Sequence, residues 1–140
     1  MTVARAKGAK GRADRLWSEV VRLGRRCVSC ARPDNLQAHH LISRRYNATR
    51  HVLDNGWPLC AACHREVHEN PVLFVELIDL TIGRSRYDEL RAMTIGTCVY
   101  RESDWIEIAE GLKARRAEIL DLIDRGEYPP SRARSPKRKR

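Results

Sequence analysis

The chain has little of what a large core is built from. Only 6% of its 140 residues are aromatic, with a single phenylalanine, whereas 32% are charged. A core this poor in large apolar side chains is ordinarily reinforced by a metal or by disulfides. No apolar run approaches the roughly 18 residues that mark a membrane span, so no membrane association is expected. The opening "MTVARAKGAKGR" has no hydrophobic segment behind its charges and does not read as a secretory signal. A cytoplasmic location follows as the expectation, and there cysteines stay reduced and their pairing points to metal rather than to disulfides. No internal repeat is present, and the length suits one domain with tails.

Charge is unevenly spread. Residues 1–50 carry 12 basic and 3 acidic side chains, residues 51–128 carry 9 and 15, and residues 129–140 carry 6 basic and none acidic. A polyanion is therefore expected to meet the first half and the tail "RARSPKRKR", not the acidic middle. A short basic tail often does no more than solubilise. Beside a basic first half it favours nucleic acid.

The expected organisation is a disordered basic tail over 1–12, a domain over 13–126 and a second disordered basic tail over 127–140. Within the domain, "ADRLWSEVVRL" places Trp17, Val20, Val21 and Leu23 among charges, an amphipathic helix stopped by Gly24. Trp17 there reads as core. "RRCVSCARPDN" is a cysteine knuckle followed by a turn, "LQAHHLI" a short strand, "SRRYNATR" a loop, and "HVLDNGWPLC" a turn leading to an extended stretch. A helix is expected over 61–69. Asn70 caps the next one, with Pro71 at its first position. That helix runs to about Gly83, and another over 85–93 opens on the capping-box-like "SRYD". The longest helix, 104–125, aligns Trp105, Ile108, Ala109, Leu112, Ile119, Leu120 and Ile123 and ends at Gly126.

Cys27 and Cys30 form one C-x-x-C and Cys60 and Cys63 a second, with 29 residues between the pairs. Four thiolates suit a tetrahedral structural Zn2+, and "CAAC" at a helix N-terminus adds the dipole's preference for thiolate. Two such pairs by chance in so cysteine-poor a chain are improbable. Cys98 has no partner and reads as a small core residue. With sulfur saturating that ion, the histidines of "AHH" and "CHREVH" need another task. His64 and His68, spaced i, i+4, share a helix face. His39 and His40 are strand neighbours and point to opposite sides, so at most one of them joins that pair. His51, in a polar stretch, reads as an ordinary surface or core residue.

Residues 27–68 resemble HNH endonucleases, the ββα-metal or His-Me finger nucleases, in their four-cysteine zinc form. The likeness rests on "CVSC", "AHHLISRR", the Asn55 of "DNGWPLC" and "CAACHREVH". Asn55 follows His40 by 15 residues and His64 follows Asn55 by nine. The flanks "LWSEVVRL" and "ENPVLFVELI" look like phage-encoded members. The resemblance covers about a third of the chain. It implies an α+β fold, a small zinc-stapled ββα-metal core (27–69) with flanking helices, those of the C-terminal side over 71–125. It implies a metal-dependent endonuclease acting on DNA and leaving a 5′-phosphate and a 3′-hydroxyl. His40 would be the general base, Asn55 the brace of its loop, and His39, His64 and His68 the holders of one divalent catalytic ion.

Some relatives carry an acidic residue at the place of His39, or two places earlier, where this chain has Gln37. An all-imidazole set leans toward transition ions over magnesium, and the expected ion is one of Mg2+, Mn2+, Ni2+ and Zn2+. Arg44 and Arg45 follow the base, suited either to clamping a phosphate or to general attraction of the backbone. Partners expected beside DNA are phage or host DNA-processing proteins.

Three other classes compete. A non-catalytic zinc-containing DNA-binding module explains the cysteines and basic tails but leaves four histidines without a task. An adaptor using the 104–125 helix rests on an apolar stripe that packing onto its own domain explains equally well. The third stays with a nuclease but takes RNA or branched DNA as its substrate; single-stranded RNA would want an aromatic stacking platform, which the sequence lacks.

Overall fold

In the computed structural model, residues 7–128 are described. α1 (Gly8–Arg22) leads into the cysteine knuckle, β1 (Leu36–His40), a one-turn α2 (Asn47–Arg50) and a 3-10 turn over Leu53–Asn55. β2 (Gly56–Cys60) then runs directly into α3 (Ala61–Glu69), followed by α4 (Pro71–Leu80), α5 (Arg84–Ala92) and α6 (Glu102–Asp124). β1 and β2 pair antiparallel, Leu36 opposite Cys60 and His40 opposite Gly56. The fold is α+β, a ββα core wrapped by helices.

α1 buries Ala13, Leu16, Trp17, Val20 and Val21 at helical spacing, and Gly24 follows it in the left-handed region with φ 64°. Its apolar stripe meets Ala109 and Leu112 of α6. Arg12–Glu110 and Arg116–Glu19, each 2.9 Å, edge that contact. Half-exposed pairs of this kind contribute at most about 1 kcal/mol each, so the buried stripe holds the helices together. The second half of the core joins Leu41, Trp57, Leu59 and the knuckle to Val67 of α3 and to Leu73, Leu77 and Ile78 of α4.

Gly56 lets the two halves meet. A Cβ there would stand 2.6 Å from the Trp17 ring and 2.7 Å from Val21, so only glycine allows α1 this close to β2. Asn70 caps α4 as expected, its Oδ1 accepting from the Val72 and Leu73 amides, with Pro71 at the first position.

Several boundaries differ from the sequence expectation. α1 begins at Gly8, so residues 8–12, expected in the tail, form its opening turns. They are held there by α6, with Lys10 over the Trp105 ring and Arg12 on Glu110. Residues 7, 127 and 128 of the expected tails are also described, the Glu127 amide donating to the Leu122 carbonyl at 2.8 Å, and residues 1–6 and 129–140 lie outside the described residues. "SRRYNATR" is not all loop, since Asn47–Arg50 makes a helical turn. α5 starts at Arg84 behind Gly83 with no side-chain cap, so "SRYD" forms no capping box. Leu120 is not part of the buried stripe of α6. It is 46% exposed, because the burial follows Trp105, Ala109, Leu112 and Ile119. No helix among the described residues is long and apolar enough to cross a membrane.

Candidate active site

The knuckle is docked on the sheet before any ligand is considered. The Val28 amide donates to the Pro58 carbonyl of β2, and the Cys27 and Ala31 amides close the turn onto Arg32 and Cys27 carbonyls. Ala31 takes φ 66° to do so. Cys60 ends β2 and Cys63 lies in the first turn of α3, so all four sulfurs come within 4.8 Å of one another. None is in a disulfide. Cys30 and Cys60 Sγ are 3.7 Å apart. Two sulfurs bound at about 2.3 Å on one tetrahedral ion stand roughly 3.8 Å apart, so the spacing fits a ZnS4 site. The electrostatics agree with crowded thiols. Burial pushes Cys60 up, but bonds from the Cys63 backbone and neighbouring thiols outweigh it and bring it down to about 7. Cys63 is pushed up, by burial first and then by Cys60.

The second cluster is His39, His64 and His68, whose donor atoms also lie within 4.8 Å of one another. His39 Nδ1 and His64 Nε2 are 3.0 Å apart. Neighbouring donors at about 2.1 Å on one ion are separated by roughly 3.0–3.4 Å, which this pair fits. His64 Nδ1–H donates to Gln37 Oε1 at 2.6 Å, which aims Nε2 at His39. Burial lowers His39 to about 4, with the crowding of His64, His68 and His40 adding to it. His64 is lowered by burial and by His68. Neutral imidazoles present the lone pairs a metal needs.

His40 turns to the other side of β1, as strand alternation requires. Its ring stacks on Trp17 with centroids 3.9 Å apart and an 11° interplanar angle. His40 Nε2–H donates to the Arg50 carbonyl at 3.0 Å, which leaves Nδ1 as the lone-pair nitrogen. Burial lowers the His40 imidazole; the Arg50 carbonyl opposes this, and the Arg50 and Arg44 cations reinforce it. Arg50 is itself clamped. Its Nε and Nη2 reach the Asp14 carboxylate, both at 2.8 Å, and its Nη1 donates to the Arg44 carbonyl. His51 is a buried residue of the same network, donating from Nε2 to Asp14 at 2.7 Å. Burial raises the Asp14 carboxyl, but hydrogen bonds from Arg50 and His51 outweigh it and hold it well below the usual carboxylate range.

Asn55 is wholly buried at the base of the loop that carries these groups. Its Oδ1 accepts from the Ile42 amide at 2.8 Å, and its Nδ2 donates to the Ile42 and Thr49 carbonyls at 3.1 Å. Both ends of the loop are thereby tied to one carboxamide. Arg44 is exposed and lines a groove of about 880 Å3 that also contains His39, His40, His64 and His68. Arg45 is not among the lining residues, and its guanidinium lies over the Tyr46 ring.

The sequence reading missed Asp14 and Arg50, noted Gln37 only as standing where some relatives carry an acidic residue, and took Trp17 as core alone. Asp14 and Arg50 are 36 residues apart, and no spacing rule connects them.

A two-stranded sheet feeding a helix, with a cysteine cluster at their junction and a histidine cluster on their face, defines a ββα-metal core. The family model for HNH endonuclease matches residues 27–70, from the first knuckle cysteine to the cap of α4. The match points to nuclease activity and metal binding for this segment. No curated protein and no solved structure matches the chain.

Proposed function

We propose that the protein is a metal-dependent endonuclease that hydrolyses DNA phosphodiester bonds. The observation that carries this reading is the division of labour across β1. His39 faces two further imidazoles, and the adjacent His40 has one nitrogen committed to a carbonyl and the other left to take a proton. A DNA-binding module with a four-cysteine zinc needs neither arrangement.

Cys27, Cys30, Cys60 and Cys63 would hold a structural Zn2+. His39, His64 and His68 would hold one divalent catalytic ion. When bound, that ion supplies Lewis acidity toward phosphate and leaving-group oxygens. His40 Nδ1 accepts the proton of the attacking water, and its neutral form at pH 7 suits that task. The Arg50 carbonyl and the Trp17 face keep the ring from rotating. Arg44, with no side-chain partner among the described residues, is available to a phosphate oxygen. Asn55 holds the loop on which Arg44 and Arg50 sit.

The test is plasmid cleavage by the zinc-loaded protein with Mg2+, Mn2+ and Ni2+ in parallel, and His40→Ala as matched control. Cutting by wild type that vanishes in the variant supports the reading. Equal behaviour of the two, with DNA binding retained, would move the protein to the non-catalytic class.

A further inference from the structure

The family match ends at residue 70, so it assigns nothing to α4 and α5. These helices nevertheless build part of the histidine groove. Arg84, Tyr87 and Arg91 of α5 line it together with His39, His68 and Arg44. Their spacing, i, i+3 and i+7, puts them on one helix face.

The charge on α5 is sorted. Neither Asp88 nor Glu89 is among the lining residues, although Asp88, four residues after Arg84, neighbours both arginines on the helix surface, and Arg86 is tied to Asp54 and Glu89 at 2.9 and 3.0 Å. Arg84 and Arg91 have no carboxylate partner among the described residues, and Arg91 sits 6.0 Å over the Tyr87 ring. Among the described residues no carboxylate lines the groove. Within a stretch that is net acidic, from residue 51 to 128, α5 thus gives the groove, whose lining is otherwise largely apolar, charged side chains of positive sign only. Unpaired guanidinium groups beside a metal-type site are complementary to a phosphate backbone.

We propose that α5 grips the DNA backbone beside the site of cutting, with Arg84 and Arg91 on phosphates flanking the scissile one. The proposal rests on the nuclease reading. Seven helical residues rise about 10 Å, a span over which two long arginine side chains can reach separate phosphates of one strand. The DNA-facing surface would then include part of the acidic half of the chain, which net charge alone assigns away from it.

The experiment measures binding of a short labelled DNA duplex as a function of salt, using full-length zinc-loaded protein in the His40→Ala background to prevent cutting. The variants are Arg84→Gln/Arg91→Gln, Arg84→Lys/Arg91→Lys and a charge-matched control, Lys113→Ala/Arg115→Ala, on the exposed face of α6. Zinc content and helical circular dichroism report folding. Loss of two phosphate contacts should reduce the slope of log K against log salt by about 1.8 and weaken binding tenfold or more at about 0.1 M salt. The lysine variant should keep most of the slope, and the α6 control should keep nearly all of it. An unchanged slope in the glutamine variant, or an equal fall in the control, would overturn the role of α5 while wild-type cutting still stood. Wild type that neither bound nor cut DNA would overturn the nuclease reading and this inference together.

Discussion

Replacing Asn55 by alanine tests whether one buried carboxamide organises the loop that carries Arg44 and Arg50. The substitution removes three hydrogen bonds and leaves the Ile42 amide and the Ile42 and Thr49 carbonyls without those partners. Asn55 and Thr49 are both fully buried, so water does not replace what is lost. An unpaired buried group costs about 1–3 kcal/mol, and carbonyls, with two lone pairs, fall at the lower end. The sum is about 3–5 kcal/mol, a large share of the roughly 5–15 kcal/mol that holds a domain folded. For a chain of this size each kcal/mol moves Tm by about 3 °C, so Asn55→Ala should melt about 9–15 °C below wild type. Calorimetry at fixed zinc concentration measures this, because free metal shifts the transition by mass action. Asn55→Asp should also lose stability, since a carboxylate accepts from the Ile42 amide but repels both carbonyls. A fall of less than about 3 °C for the alanine variant would refute the assignment of these bonds as the loop's anchor.

Cys60→Ser should lose the folded core along with bound zinc, whereas His68→Ala should keep the helical signal and lose metal-dependent cutting. Equal unfolding of both, by circular dichroism, would merge the two sites into one. Gly56→Ala should destabilise by about 1–3 kcal/mol through overpacking against Trp17 and should also slow cutting, because Trp17 backs the His40 ring. Denaturant midpoints and single-turnover rates report the two effects separately. Asp14→Asn leaves the Arg50 guanidinium, whose side chain is only 10% exposed, without its counter-charge, and should cost about 3 kcal/mol at neutral pH. The folded Asp14 carboxyl lies below its unfolded value of about 3.9, so its contribution is complete above that pH and is lost as pH falls through and below it. Urea midpoints should therefore show a constant gap between wild type and variant from pH 7 to about 5 and a narrowing gap below about 4. A gap that widened on acidification would refute the linkage.

The cysteine cluster and the His64–His68 pair can be read from short-range pattern, whereas the α+β core and the choice of His39 rather than His40 as their third member followed from the resemblance. Two C-x-x-C pairs, histidines one helical turn apart, strand neighbours on opposite faces and an Asn-Pro cap are each determined by the geometry of a few consecutive residues. The same local rules place α3, α5 and α6 to within a residue or two, but miss the start of α1 by five residues and the end of α4 by about three. They fail where a distant partner decides. Residues 8–12 are helical because α6 supplies Glu110 and Trp105 for them to rest on, and "SRYD" makes no capping box because α5 starts one residue earlier, at Arg84 behind Gly83. The tertiary structure alone brings Trp17 onto His40 and Asp14 onto Arg50, since closing a chain of more than 20 residues leaves no periodic mark in the sequence. It alone turns Arg84 and Arg91 toward the histidines. Net charge counts every side chain along a segment, whereas an electric field acts on the side of the fold to which the charges are turned.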